Sequence, residues 1–212
     1  MNLPEPAAAG PADRRQAVPI ICLKQKLAYR NRFIRVFDDE VRFADAREGT
    51  CVRIVQSGDL PGVVIMPLAG NLVGLVRVYR YPAGAWEWGF PRGLAHGDDP
   101  RVTASAELLE ELGRRPSHLA ELGRMTPDSG ILSSVVWMFA AGYEEAPGTP
   151  LDTGEVSAIT WIPVPELLAR ISRGAITDGF TLAAACSALC RGIITCGERA
   201  AMNGSGHAAA DR

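Results

Sequence analysis

The stretch GFPRGLAHGDDPRVTASAELLEELG, residues 89–113, decides the fold. Its second half reads as a helix from Pro100 to Leu112. Asp98 or Asp99 supplies the N-cap, Pro100 takes the first helical position, and Gly113 follows the end. At helical spacing Glu107, Glu110 and Glu111 share one face, within about 100° of arc. Leu108, Leu109 and Leu112 point the other way, so the leucines can bury the helix against a sheet while the acids gather outside. The arrangement has a local cost. Glu107 and Glu111 are a like-charged i,i+4 pair, worth about 0.2–0.5 kcal/mol against the helix. The acids also lie in the half of the helix where the macrodipole disfavours them. Two readings stand: a solvated acidic face, or carboxylates that hold a divalent cation. Oxygen-only donors of this kind suit Mg²⁺ or Mn²⁺, not zinc.

Outward from this helix the pattern is mostly strands. Lys26–Phe43 alternates apolar and polar residues and is interrupted by Asp38-Asp39, which predicts a hairpin-like strand pair. Cys51–Gln56, Gly62–Pro67 and Leu72–Tyr79 are Val/Ile-rich runs separated by Ser-Gly-Asp and Ala-Gly-Asn turns. Gly84–Gly93 is a compact aromatic segment. Further strands are expected at Leu119–Met125, Val135–Tyr143 and Val156–Ile162, with helices at Val164–Ser172 and Phe180–Cys190. Strands alternating with a few helices predict an α/β fold with a mixed sheet covered by helices. Residues 1–17 and 196–212 are rich in Ala, Gly and Pro and are expected to be disordered tails.

Residues 89–113 also resemble the Nudix box, in which a Gly and an acid precede Arg-Glu-apolar-x-Glu-Glu-x-Gly. Glu107, Leu108, Glu110, Glu111 and Gly113 match at the correct spacing, Gly93 resembles the opening glycine, and Asp98 or Asp99 stands where the family has Glu. Two departures are plain. The box is one residue short between Gly93 and Glu107, and Ala106 occupies the usual Arg position. The flanks resemble the ADP-ribose pyrophosphatase group. LVRVYRYP (75–82), Trp86-Glu87 and Phe90-Pro91-Arg92-Gly93 resemble the approach to the box, TPDSG (126–130) the loop after it, and residues 156–167 and 174–182 the last strand and closing helix.

The resemblance implies a Nudix α/β/α sandwich over residues 49–195, preceded by a small β subdomain at 18–48 that joins two protomers. It implies metal-dependent hydrolysis of a nucleoside diphosphate linked to another group, with an ADP-ribose-like substrate giving AMP and a sugar phosphate. The alternative it leaves open is a module that binds such a nucleotide without cleaving it. Glu107 and Glu111 would be the main metal ligands, with Glu110 assisting them and also a catalytic candidate. The main-chain carbonyl of Arg92 would be a further ligand. Glu155, or else Asp152, would be the general base. Arg80, Trp86, Glu87 and Arg92 would meet the substrate, the arginines at phosphate and the tryptophan at the base. Another cation would have to stand in for the arginine missing at 106, and Arg92, Arg101 and Arg114 are the candidates.

Composition excludes several other functions. Across 212 residues the formal net charge is −2, so no positive field points to nucleic acid. Five cysteines with no Cys-x-x-Cys pair argue against a disulfide framework or a zinc knuckle. No apolar run approaches the roughly 20 residues of a membrane span. The first residues, MNLPEPAAAGPADRRQ, lack the apolar core of a signal peptide. A cytoplasmic protein is the expectation.

Overall fold

The computed structural model describes residues 19–56, 60–94, 97, 99–148 and 156–196. The expected tails apart from Cys196, together with Asp98 and the loop carrying Asp152 and Glu155, therefore lie outside the described residues. The chain divides into two compact units, Met1–Ser57 and Gly58–Arg212.

The first unit is a four-stranded antiparallel sheet. Its strands are β1 (Ile20–Lys24), β2 (Leu27–Arg30), β3 (Ile34–Phe43) and β4 (Glu48–Gln56). The long β3 pairs with β4 along nearly its whole length, while β1 and β2 share its other edge. Two expectations are corrected here. Asp38-Asp39 does not break the chain; both residues sit inside β3. Asp39 is only 6% exposed and accepts from Arg53 Nε at 3.1 Å, Arg53 Nη2 at 3.0 Å and the Lys26 amide at 3.2 Å. A buried carboxylate is tolerated in a strand when a cross-strand arginine and a main-chain donor satisfy it. The turn falls instead at Asn31, whose side chain accepts from the Phe33 and Ile34 amides. The second correction is the boundary. The unit runs to Ser57, not residue 48, because β4 completes this sheet.

The second unit is built on a seven-stranded mixed sheet. Its strands are β5 (Gly62–Ala69), β6 (Leu72–Arg80), β7 (Ala85–Gly89), β8 (Arg92–Leu94), β9 (His118–Met125), β10 (Val136–Tyr143) and β11 (Val156–Pro163). The order is β11-β6-β5-β10-β9, and β5–β10 is the one parallel pairing among the described strands. β5 and β6 pair only at Leu68–Ala69 with Leu72–Val73. Beyond that point they part, β7 pairing with β6 and β8 with β5. The connecting segment is tied in by a hydrogen bond from the Ile65 amide to the Pro91 carbonyl at 2.9 Å.

α1 (Pro100–Leu112) covers one face of this sheet. The helix has the expected bounds. Asp99 is the cap and accepts from the Arg101 amide, while Gly113 closes the helix in the left-handed region at φ 75°. Ala104, Leu108 and Leu112 are fully buried with Val63, Ile65, Val76 and Phe139. α2 (Val164–Ser172) and α3 (Gly179–Cys190) cover the opposite face, over a core of Val64, Met66, Leu75, Met138 and Leu167. Two apolar layers on either side of one sheet make an α/β/α sandwich.

Leu108 anchors α1 with no exposed surface. Leu108→Ala should lower unfolding free energy by about 2–5 kcal/mol, measured by urea titration. A loss much smaller than that would mean α1 is not seated as described.

Candidate active site

The site is built where α1 meets β8. Gly93 pairs with Val63 on the α1 side of the sheet, and a Cβ at position 93 would overlap the carboxylate of Glu107. Gly93 therefore serves as a seat: its bare Cα lets a buried glutamate lie directly on the strand. Glu107 is 9% exposed. Glu111, one turn on, is half-buried, whereas Glu110 is exposed. The three acids share a face but differ in depth, which helical periodicity does not reveal. Position 106, also half-buried, offers no side chain beyond a methyl.

Arg92 is the other organised group. Its guanidinium is half-buried, sits 2.9 Å from Asp178 Oδ1, and lies over the Phe180 ring at 4.2 Å. Burial pulls its pKa below the ordinary arginine value, and Asp178 opposes that pull. Arg80, Glu87 and Glu111 also enter its electrostatic surroundings. Of the other candidate cations, Arg101 pairs with Glu121 and lies over Phe139, and Arg114 is exposed beyond the helix end. Arg92 feels Glu111 electrostatically, but its side chain lies opposite Val64 on the α3 side of the sheet.

The β6–β7 hairpin separates the expected substrate residues. Val76 and Val78 pack with the α1-side core, so alternation puts Arg80 on that side, and Glu87 pairs with Val78 there. Trp86 pairs with Tyr79 on the other side. Its ring is 5.4 Å from that of Tyr79, with Arg77 above it at 5.1 Å. Trp86 therefore does not join Arg80, Glu87 and the glutamates, because pleating turns its side chain to the opposite face.

Glu107, Glu111 and the main chain of Arg92 are hard oxygen donors, which fit Mg²⁺ or Mn²⁺. Among the described residues no three His, Cys, Asp or Glu side chains converge to hold a metal. Asp152 and Glu155 fall outside the described residues.

Sequence reasoning missed Asp178 and Thr181. Asp178 caps α3, accepting through Oδ2 from the Thr181 amide at 3.0 Å and from its hydroxyl at 2.6 Å. The same hydroxyl accepts from the Phe90 amide at 2.9 Å. The Asp-x-x-Thr spacing signals a cap, but nothing local signals its contact with residues 90–92.

Comparisons with known proteins bear on the family and the fold. The family model described as the NUDIX domain matches residues 59–180, more than half of the chain. A CMP-5'-(N-acetyl-N-hydroxy-3-aminopropyl)phosphonate hydrolase of Streptomyces rubellomurinus is 28% identical over 123 residues, 56% of this chain and 60% of that protein. An ADP-ribose pyrophosphatase of Mycobacterium tuberculosis is 29% identical over 134 residues, 61% of this chain and 64% of that protein. Each match thus spans less than two thirds of the relative. The solved structure of an ADP compounds hydrolase superposes with a TM-score of 0.70 at 19% identity, covering 82% of this chain and 94% of that one, which shows a shared fold.

Proposed function

The chain belongs to the Nudix family, and from that premise we propose that it is a pyrophosphohydrolase, cleaving a nucleoside diphosphate linked to another group with an ADP-ribose-like substrate. One observation supports this most directly: a buried glutamate, Glu107, seated on the bare backbone of Gly93 with Glu111 one turn away. A cation bound between two adjacent carboxylates would offset both the cost of burying Glu107 and its repulsion from Glu111.

In this reading Glu107 and Glu111 offer carboxylate oxygens, the Arg92 carbonyl a main-chain oxygen, and Glu110 assists from the exposed side. A bound Mg²⁺ or Mn²⁺ would neutralise the diphosphate and polarise the attacking water. Arg80 orients the phosphates. The Arg92 side chain lies opposite Val64 on the α3 side of the sheet, held by Asp178, so it anchors the segment that carries its carbonyl and does not meet the phosphates beside Arg80. Glu155, or Asp152, takes the proton from water. Glu87 shares the side of Arg80 and helps position the substrate. By their names the relatives act on a CMP-linked phosphonate and on ADP-ribose, which supports a nucleotide joined to another group.

The test is a panel: ADP-ribose, sugar nucleotides, dinucleoside polyphosphates and reduced dinucleotides, each with Mg²⁺ or Mn²⁺ and product analysis. Metal-dependent release of a nucleoside monophosphate is the expected result. Saturable binding with no product would replace the hydrolase with the second reading, a nucleotide-binding module, which Ala106 at the arginine position favours. Ala106→Arg should raise kcat by about tenfold if the missing cation limits turnover. An unchanged or lower rate under saturating metal would count against that idea.

A homodimer through the first unit is part of the proposal. Ile20, Ile21, Leu27, Tyr29 and Phe33 are exposed apolar side chains there. A monomeric mass by sedimentation would remove it. The described residues contain no helix long and apolar enough to cross a membrane. A cytoplasmic location remains a proposal, tested by fractionation.

A further inference from the structure

α3 begins on the side of the sheet away from the glutamates, yet its first turn grips the segment that seats Glu107. The Asp178 carboxylate is buried, with its side chain only 6% exposed. One oxygen holds Arg92 and the other holds Thr181, whose hydroxyl in turn holds the Phe90 amide. Gly89 permits the approach: a Cβ there would come within 3.0 Å of the Thr181 hydroxyl and 3.2 Å of Asp178 Oδ2. Residues 89, 90 and 92 are therefore clamped from behind by two adjacent side chains. Gly93, the next residue, presses on Glu107 from the front.

We propose that Asp178, acting through Arg92 with Thr181 as its partner, is a positioning residue for the metal-binding glutamates. The clamp would fix the height and register of β8, and with them the Gly93 seat and the Arg92 carbonyl. A helix cap needs neither an arginine partner nor a hydroxyl that reaches another strand. Here one carboxylate caps the helix and holds Arg92, and it also accepts from the Thr181 hydroxyl that takes the Phe90 amide. The inference rests on the hydrolase reading of the site.

Capping and positioning can be separated chemically. Asn and Ser cap helices about as well as Asp, but neither carries the charge that holds Arg92. The experiment uses full-length Asp178→Asn, Asp178→Ser and Asp178→Ala beside the wild type. Thermal melting reads the cap. The electron paramagnetic resonance signal of free Mn²⁺ reads metal affinity, and ADP-ribose turnover reads kcat and KM. Asp178→Asn and Asp178→Ser should melt near the wild type, yet weaken Mn²⁺ binding by about tenfold, as loss of an outer hydrogen-bonding partner typically does. They should lower kcat by a similar factor while KM moves much less. Asp178→Ala should also lose melting temperature.

If Asn and Ser match the wild type in metal affinity and kcat, the residue is only a cap and the proposal fails. If both variants melt far below the wild type, the role is global and the proposal also fails. A wild type that binds no Mn²⁺ and turns over no substrate removes the hydrolase reading and this inference with it. A wild type that binds Mn²⁺ but spares ADP-ribose leaves the metal affinities to decide.

Discussion

Gly93→Ala should abolish most activity in a protein that still folds. The added methyl would occupy the space of the Glu107 carboxylate. The strand cannot retreat easily. Its neighbours on β5 are buried, with Val63 at 1% and Val64 at 0% exposure, and Arg92 is held by Asp178. The glutamate must therefore leave, and displacing a metal ligand by about 1 Å costs roughly 100-fold in rate. Gly93 is not in the left-handed region, so the substitution brings no backbone strain of its own. Turnover and Mn²⁺ titration should both drop while circular dichroism stays native. Near-native turnover would mean that Glu107 does not act from its seat, and the site would have to be rebuilt around other residues.

The second large effect is a ranking of the three glutamates. Glu107→Gln and Glu111→Gln should each reduce kcat by about 100-fold or more, since each removes charge from a site with little water to replace it. Glu110→Gln should cost less than about tenfold, because an exposed carboxylate is screened by solvent and contributes at a distance. Sequence spacing alone treats Glu110 and Glu111 as near equals. Their depths differ because Glu111 lies on the turn directly below Glu107, while Glu110 is rotated toward solvent. The rate constants of the three variants at saturating Mg²⁺ check this order. Equal losses at all three positions would show that Glu110 enters the site when substrate binds.

How far the sequence could be read depended on whether the controlling interaction was local. The bounds of α1 were legible because Asp99, Pro100 and Gly113 act within one turn of the helix ends. α2 likewise starts and stops where its pattern does. Five strands of the second unit were legible as short apolar runs between turn residues, whereas β7 and β8 read only as part of a compact aromatic segment because their pairing with β6 and β5 is not local. Asp38-Asp39 was misread because a paired acid in a strand looks, in sequence, like a turn; its partner Arg53 lies on the next strand. The division at Ser57 was missed for a similar reason, since Cys51–Gln56 reads as a strand wherever it pairs.

For the site, the sequence alone determined the family, the helix, the face its acids share and the absence of an arginine at 106. The family follows from the resemblance to the Nudix box and its flanks, and the others from periodicity and spacing along one segment. Only the tertiary structure decided that Gly93 is a seat for Glu107, that Trp86 turns away from the glutamates, and that Asp178 reaches Arg92. Each of these depends on which strand lies beside which and on the side to which a pleat turns a side chain. That information resides in packing between segments far apart in the chain, where no local rule reaches.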